Sequence, residues 1–296
     1  MKITVIGLGK MGLALAKQLM KQGQHINGFD LNPLIVDQLE TDKCQLLTDL
    51  RVLADTADKN VVFSLLPSGE PTKSTMKTLK DILRPGDVVV DFSNSFYKDS
   101  LDNFALFEEK AILYYDCGIS GGVEGALHGA CMMVGGPDPL DQQVDDVLKG
   151  LCVPGGYRFY PEPGSGHYLK MVHNGIEYGM MQAIAEGLHL LKAQSHYAFK
   201  LDDVVGNWSR GSIIESALLD NIYDELNQDT LLGNFQHKVA ASGEAKWMVN
   251  EALTEEVPTP VIALSLMNRN ASLHEVSFSN QVISAMRYRF GGHKEY

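Results

Sequence analysis

The stretch Ile3-Thr4-Val5-Ile6-Gly7-Leu8-Gly9-Lys10-Met11-Gly12 decides the fold class. Four β-prone residues run into a G-x-G-x-x-G triplet. From Leu13 to Lys21 the apolar residues then recur at helical spacing, until Gly23 stops the pattern. A glycine triplet alone is weak evidence, but between a strand and a helix each glycine has a task. Gly7 allows a tight turn, Gly9 lets the backbone approach a pyrophosphate, and Gly12 lets helix and strand pack closely. The N–H groups at the helix start attract phosphate. A second β-prone run, Ile26 to Phe29, ends at Asp30, 18 residues beyond Gly12. A carboxylate there bonds both ribose hydroxyls of a dinucleotide and repels an added 2′-phosphate, and Leu31, Asn32 and Pro33 offer no arginine to receive one. The expected cofactor is NAD rather than NADP. The competing reading, a glycine turn with a chance surface aspartate, has to explain why strand, loop, helix and acid fall in order.

Working outward, further β-type runs lie at Val61 to Leu66, Val88 to Phe92, Ile112 to Asp116 and Cys131 to Val134, with helical stretches or turns between them. Strands spaced by helical segments imply βαβ units and a mostly parallel sheet. The pattern changes at Pro161-Glu-Pro163-Gly-Ser-Gly166, whose prolines and glycines mark a connection. Beyond it, helical periodicity dominates Tyr168 to Gln194, Leu201 to Trp208, Ile213 to Tyr223 and Pro258 to Arg289. The chain has 296 residues, more than one core needs. The expected architecture is an α/β Rossmann-type N-terminal domain over residues 1–163, followed by an all-α domain over residues 164–296.

The formal net charge of −12 argues against nucleic acid or an anionic membrane as partner, since both need a basic surface. A small anionic substrate remains open, provided that cations gather locally. Cys44, Cys117, Cys131 and Cys152 show no CxxC pair and no zinc-ligand spacing, so reduced thiols and no metal site are expected. The apolar run at the N-terminus is short, broken by glycines and without a cleavage site, and no stretch approaches the ~20 apolar residues of a membrane span. A cytoplasmic location is expected.

The segment after Gly166 carries the second informative pattern. On a helix, Lys170, His173, Asn174 and Glu177 fall within an arc of about 100°. Leu169, Val172 and Ile176 turn elsewhere and are free to pack. An amine, an imidazole, an amide and a carboxylate on one face suit alcohol oxidation. A lysine removes a hydroxyl proton as hydride leaves carbon, if burial or a positive neighbour lowers its pKa. His173 and Asn174 then orient the substrate, and Glu177 donates a proton later. From spacing alone, a solvated charged face explains the same residues equally well.

The run Lys170-Met-Val-His-Asn-Gly-Ile-Glu-Tyr178-Gly-Met-Met-Gln182 resembles that of decarboxylating 6-phosphogluconate dehydrogenases. So do Asp91-Phe-Ser-Asn94-Ser95, Gly118-Ile-Ser120-Gly121-Gly122-Val-Glu-Gly125, Lys246-Trp247 and Arg287-Tyr-Arg-Phe-Gly-Gly-His293. The resemblance covers nearly the whole chain. It implies Lys170 as general base and Glu177 as the acid that protonates carbon 1 of the enediol left by loss of CO2. Asn94, Ser120, Gly121, Gly122, His173 and Asn174 would hold the substrate. Gly7, Leu8, Gly9, Lys10, Met11, Gly12, Asp30, Leu66 and Asn94 would contact NAD. Tyr178, Lys246, Arg269, Arg287 and His293 would grip the substrate phosphate, the last two donated by a neighbouring subunit. The second domain would thus bind substrate and drive self-association, and no metal would be needed.

Two departures stand out. The chain resembles the short bacterial type, with a helical domain about half the size of the long form. Met248 stands where the long form often has threonine. Two other readings compete: a dehydrogenase of another β-hydroxy acid that releases no CO2, and a non-catalytic dinucleotide sensor. Arg287 and His293 speak against the first, and the joint presence of Lys170 and Glu177 against the second.

Overall fold

The computed structural model describes the chain except for residues 33, 34, 36–38, 40, 41, 275 and 292–296. Among the described residues, eight strands form one sheet: β1 (Lys2–Ile6), β2 (Ile26–Phe29), β3 (Cys44–Leu46), β4 (Asn60–Ser64), β5 (Val88–Asp91), β6 (Leu113–Ser120), β7 (Ala130–Gly135) and β8 (Cys152–Tyr160). Their order is β3-β2-β1-β4-β5-β6-β7-β8. Every pairing is parallel except β6 with β7, where Asp116 faces Gly135 and Ser120 faces Cys131. The order turns back between β1 and β4, the kind of switch point at which open α/β sheets bind ligands.

The helices between these strands are α1 (Lys10–Lys21), α2 (Glu70–Ile82), α3 (Tyr97–Glu108), α4 (Gly122–His128) and α5 (Gln142–Gly150), with a 3-10 turn at Leu50–Asp55. They cover both faces of the sheet, which is why its strands read as unbroken apolar runs. Val61, Phe63, Val88, Val90, Tyr115 and Cys117 join Leu15 and Leu19 of α1 and Val144 and Leu148 of α5 in one core. The alternate residues Val62, Val89 and Tyr114 join Leu53, Met76 and Leu79 and Phe107 in the other. Each such side chain, fully buried, contributes about 1.5–3 kcal/mol.

Two compact units divide the chain, Met1–His173 and Asn174–Tyr296. Helix α6 (Ser165–Ala193) runs from the first into the second. The second unit continues with α7 (Leu201–Trp208), α8 (Ala217–Gln228), α9 (Glu244–Thr254), α10 (Pro260–Ser272) and α11 (Phe278–Gly291). Its buried clusters are small: Val205, Leu219 and Leu226 in one, Tyr178, Ala245 and Leu266 in another.

The sequence expectations meet this structure as an α/β domain followed by helices. Six details differ. The strands β3 and β8 were not foreseen: β3 has only three residues, and β8 contains Pro154-Gly155-Gly156. Helix α9 was also missed. The single helical run expected from Pro258 to Arg289 is two helices, the first ending at Ser272 and the second starting at Phe278. Residues Ile213 to Ser216 precede α8 instead of belonging to it; Ser216 caps that helix by accepting from the Leu219 N–H at 3.3 Å. Helix α6 begins at Ser165, inside the stretch read as a connection. Its Ile176, expected to pack, is 51% exposed.

Candidate active site

The glycine loop closes the end of β1. Gly7 has φ +84°, a left-handed value that favours glycine, and a Cβ there would lie 2.6 Å from the Leu65 carbonyl oxygen. A Cβ on Gly12 would collide with the Gly7 carbonyl, so α1 starts in direct contact with the turn. Gly9 is exposed and faces open space, Lys10 is exposed and Met11 half-buried. Gly9 supplies no side-chain cap to α1, and the first turn carries no acidic residue. These features fit a pyrophosphate: N–H groups unclaimed by a cap, positive helix potential, and no acidic residue in the first turn of the helix. The Leu8 side chain lies in the sheet core.

Asp30 does more than the sequence indicated. Its Oδ2 accepts the Leu8 N–H at 2.6 Å and its Oδ1 the Asn32 N–H at 2.8 Å. The carboxylate therefore ties the glycine loop to the end of β2. A carboxylate has about four lone-pair sites, so two further hydrogen bonds remain possible.

Further along the sheet, Leu66 follows β4 and is half-buried, and Asn94 follows β5 and is exposed. Asp91 holds the Asn94 turn by accepting the Ser93 N–H at 2.9 Å, and Ser93 Oγ lies 2.7 Å from Ser95 Oγ. At the end of β6, Gly121 (φ +112°) and Gly122 (φ +61°) open α4 and are exposed. Ser120 Oγ lies 3.1 Å from His173 Nε2. Lys170 is half-buried, and the sequence missed what seats it: a Cβ on Gly118 would lie 2.5 Å from Lys170 Cβ. The first unit thus brings Ser120, Lys170 and His173 to the junction of β6 and α6. Asn174 and Glu177, both half-buried, follow on the same unbroken helix.

The second unit gathers part of the expected phosphate grip. The Arg269 guanidinium stacks 3.4 Å above the Tyr178 ring and donates to the Ala240 carbonyl at 3.2 Å. The Tyr178 hydroxyl accepts the Ser242 N–H at 3.3 Å. Lys246 is exposed on α9, which begins just beyond that loop. Met248 packs on Gly175, where a Cβ would overlap its sulfur. Arg287 is exposed on α11, and His293 lies outside the described residues. Among the described residues, no group of three or more His, Cys, Asp or Glu side chains converges as a metal site. No helix of the described residues is long and apolar enough to cross a membrane.

A glycine turn at the switch point of a doubly wound sheet, with a polar helix beyond it, defines a dinucleotide-binding protein of dehydrogenase type. Residues 2–153 match the NAD binding domain of 6-phosphogluconate dehydrogenase, and residues 166–277 match the C-terminal domain of the same enzyme. The chain belongs to the 6-phosphogluconate dehydrogenase family. It is 38% identical over 294 residues to the Bacillus subtilis protein YqeC, named provisionally as a 6-phosphogluconate dehydrogenase, covering 99% of this chain and 98% of that one. The NAD(+)-dependent, decarboxylating 6-phosphogluconate dehydrogenase of Haloferax volcanii is 36% identical over 300 residues, with 99% and 98% covered. Among solved structures, 6-phosphogluconate dehydrogenase of Plasmodium falciparum superposes with a TM-score of 0.80 at 26% identity. That match covers 98% of this chain but 65% of the Plasmodium chain.

Proposed function

We propose that the protein oxidises and decarboxylates 6-phosphogluconate to ribulose 5-phosphate and CO2, with NAD as the preferred oxidant and without a metal. The observation that carries this reading is the Lys170–Glu177 run on one unbroken helix, together with Lys170 seated on Gly118 and Ser120 beside His173. Full-length similarity to an NAD(+)-dependent decarboxylating relative supports it.

NAD, held by the Gly7–Gly12 loop and Asp30, supplies the hydride acceptor. Lys170 takes the proton of the 3-hydroxyl as the carbon is oxidised, leaving a 3-keto acid. The ketone accepts the electron pair released when the C1–C2 bond breaks and CO2 departs. Protonated Lys170 stabilises the oxygen on which charge develops. Glu177 then protonates carbon 1 of the enediol. Ser120, Gly121, Gly122, Asn94, His173 and Asn174 orient the sugar acid. Tyr178, Lys246 and Arg269 bind its phosphate, with Arg287 and His293 given by a neighbouring subunit.

Self-association is supported by the second unit's surface. Leu253, Val261, Leu264, Met267 and Phe278 are each more than half exposed, and apolar surface of this extent on a lone chain calls for a cover. The four free cysteines suit the reducing cytoplasm, where we place the enzyme.

The deciding experiment follows NADH and CO2 together during turnover of 6-phosphogluconate. Equimolar release supports the reading. NADH without CO2 overturns it in favour of a non-decarboxylating dehydrogenase, and NAD binding without reduction in favour of a sensor.

A further inference from the structure

Residues at alternate positions along a strand share one face. On β6, Asp116, Gly118 and Ser120 share such a face, and each meets α6. The Asp116 carboxylate accepts the Gly164 N–H at Oδ1 and the His167 N–H at Oδ2, both at 2.7 Å. Gly118 leaves room for Lys170 Cβ, and Ser120 reaches His173. The helix residues follow one another at intervals of three, so strand and helix touch rung by rung at 167, 170 and 173.

The uppermost rung is unusual chemistry for a helix start. Gly164 occupies the cap position, because its carbonyl accepts the Tyr168 N–H at 2.9 Å. A capping side chain would normally accept the N–H three residues on, and the residue there would accept the cap's own N–H. Gly164 has no side chain, and Asp116 accepts from both positions at once, from another element. Asp116 is wholly buried, a place where a carboxylate persists only with such donors around it. Burial pushes its carboxyl up, against the pull of His167 and the two backbone donors. Gly166 and Gly135 permit the close approach. A Cβ on Gly135 would lie 2.6 Å from the Gly166 nitrogen, and one on Gly166 would overlap the Asp116 carbonyl. His167, also buried, is held through Nδ1 by Ser100 Oγ at 2.7 Å.

We propose that Asp116 is a positioning residue for Lys170: by capping α6 from inside the sheet, it fixes the helix so that the lysine leaves it over Gly118. A cap in a flexible loop would let the helix slide or turn, and a rotation by one residue, about 100°, would carry Lys170 off its seat. The inference rests on Lys170 being the base named above.

The test uses the full chain with Asp116→Ala, Asp116→Asn and Gly118→Ala. Circular dichroism and NAD affinity report folding and the glycine loop. Steady-state kinetics with 6-phosphogluconate report kcat, both KM values and the pH profile of kcat. In Asp116→Ala and Gly118→Ala, kcat is expected to fall by roughly 30- to 100-fold, with KM for NAD unchanged within about twofold. The pH profile of kcat should shift from that of the wild type, because the surroundings of the displaced amine change. Asp116→Asn keeps the shape and one acceptor and should lie between. If Asp116→Ala does not fold, the other two variants decide. Folded variants with unchanged kcat and pH profile overturn the inference, as does a loss that tracks only the folded fraction. Wild-type protein that does not turn over 6-phosphogluconate overturns the functional reading and this inference with it. An active wild type beside unaffected variants overturns the inference alone.

Discussion

Ser120 Oγ and His173 Nε2 lie 3.1 Å apart, joining the end of β6 to the polar face of α6. This bond fixes one imidazole nitrogen and aims the ring. Ser120→Ala should lower kcat/KM for 6-phosphogluconate about tenfold, the value of one good hydrogen bond, and leave KM for NAD nearly unchanged. Steady-state kinetics with each substrate varied in turn would read this, and equal effects on both would deny the contact a role in substrate binding.

Asp30 ties the glycine loop to the end of β2, and the proposed function gives it the further task of selecting NAD; its removal tests both. Asp30→Ala should narrow the ratio of NAD to NADP turnover, because the carboxylate no longer repels a 2′-phosphate. It should also strand the Leu8 N–H, at a cost of about 1–3 kcal/mol. In a unit of this size each kcal/mol corresponds to roughly 2–4 °C in Tm. Thermal melts without cofactor would detect that part separately; an unchanged cofactor ratio would leave Asp30 with the structural task only.

The stacking of Arg269 on Tyr178 depends on a planar guanidinium. Arg269→Lys keeps the charge and loses the fork and the stack. KM for 6-phosphogluconate should rise by about tenfold or more, with KM for NAD unaffected. A variant indistinguishable from wild type would remove Arg269 from the phosphate grip.

Donation of Arg287 across subunits is testable by mixing. Lys170→Ala and Arg287→Ala should each be nearly inactive alone. Unfolded and refolded together, they should regain roughly a quarter of wild-type activity, because one site in four then combines an intact lysine with an intact neighbouring arginine. No recovery would place Arg287 in its own subunit's site or outside any site.

The cysteines should differ sharply in reactivity. Cys44 and Cys117 are buried, and Cys131 is exposed. Burial pushes the Cys152 thiol up to about 12, with Cys131 adding to the rise, so at pH 8 it holds almost no thiolate. Brief iodoacetamide treatment of the folded protein, read by mass spectrometry, should label Cys131 first and Cys152 far more slowly. Equal labelling of both would contradict the packing around β8.

Much of the first unit was legible because its signals are local. A strand, a glycine turn and a helix lie within the first 21 residues, and buried parallel strands announce themselves as apolar runs. The short β3 and the glycine-broken β8 escaped because edge and late strands owe their state to a partner, here β2 and β7. In the second unit helical periodicity was visible. Its ends were not, because caps such as Ser216 depend on a single side chain. In the candidate site, the contacts made by Asp116, Gly118 and Gly175 went unread. The spacing of Asp116, Gly118 and Ser120 carried a period-two hint, but one glycine among 28 says nothing about what presses against it.

What the sequence determined by itself is the alternation of the main strands and helices in the first unit, the family and the set of polar groups on α6. All of these follow from neighbours along the chain: the period of apolar residues, a glycine triplet, and the spacing of Lys170, His173, Asn174 and Glu177. What only the tertiary structure decided is where those groups are held. Asp116 and His167 are 51 residues apart, yet a 2.7 Å hydrogen bond joins them. Such a contact exists only once the sheet has formed and brought β6 beneath the helix.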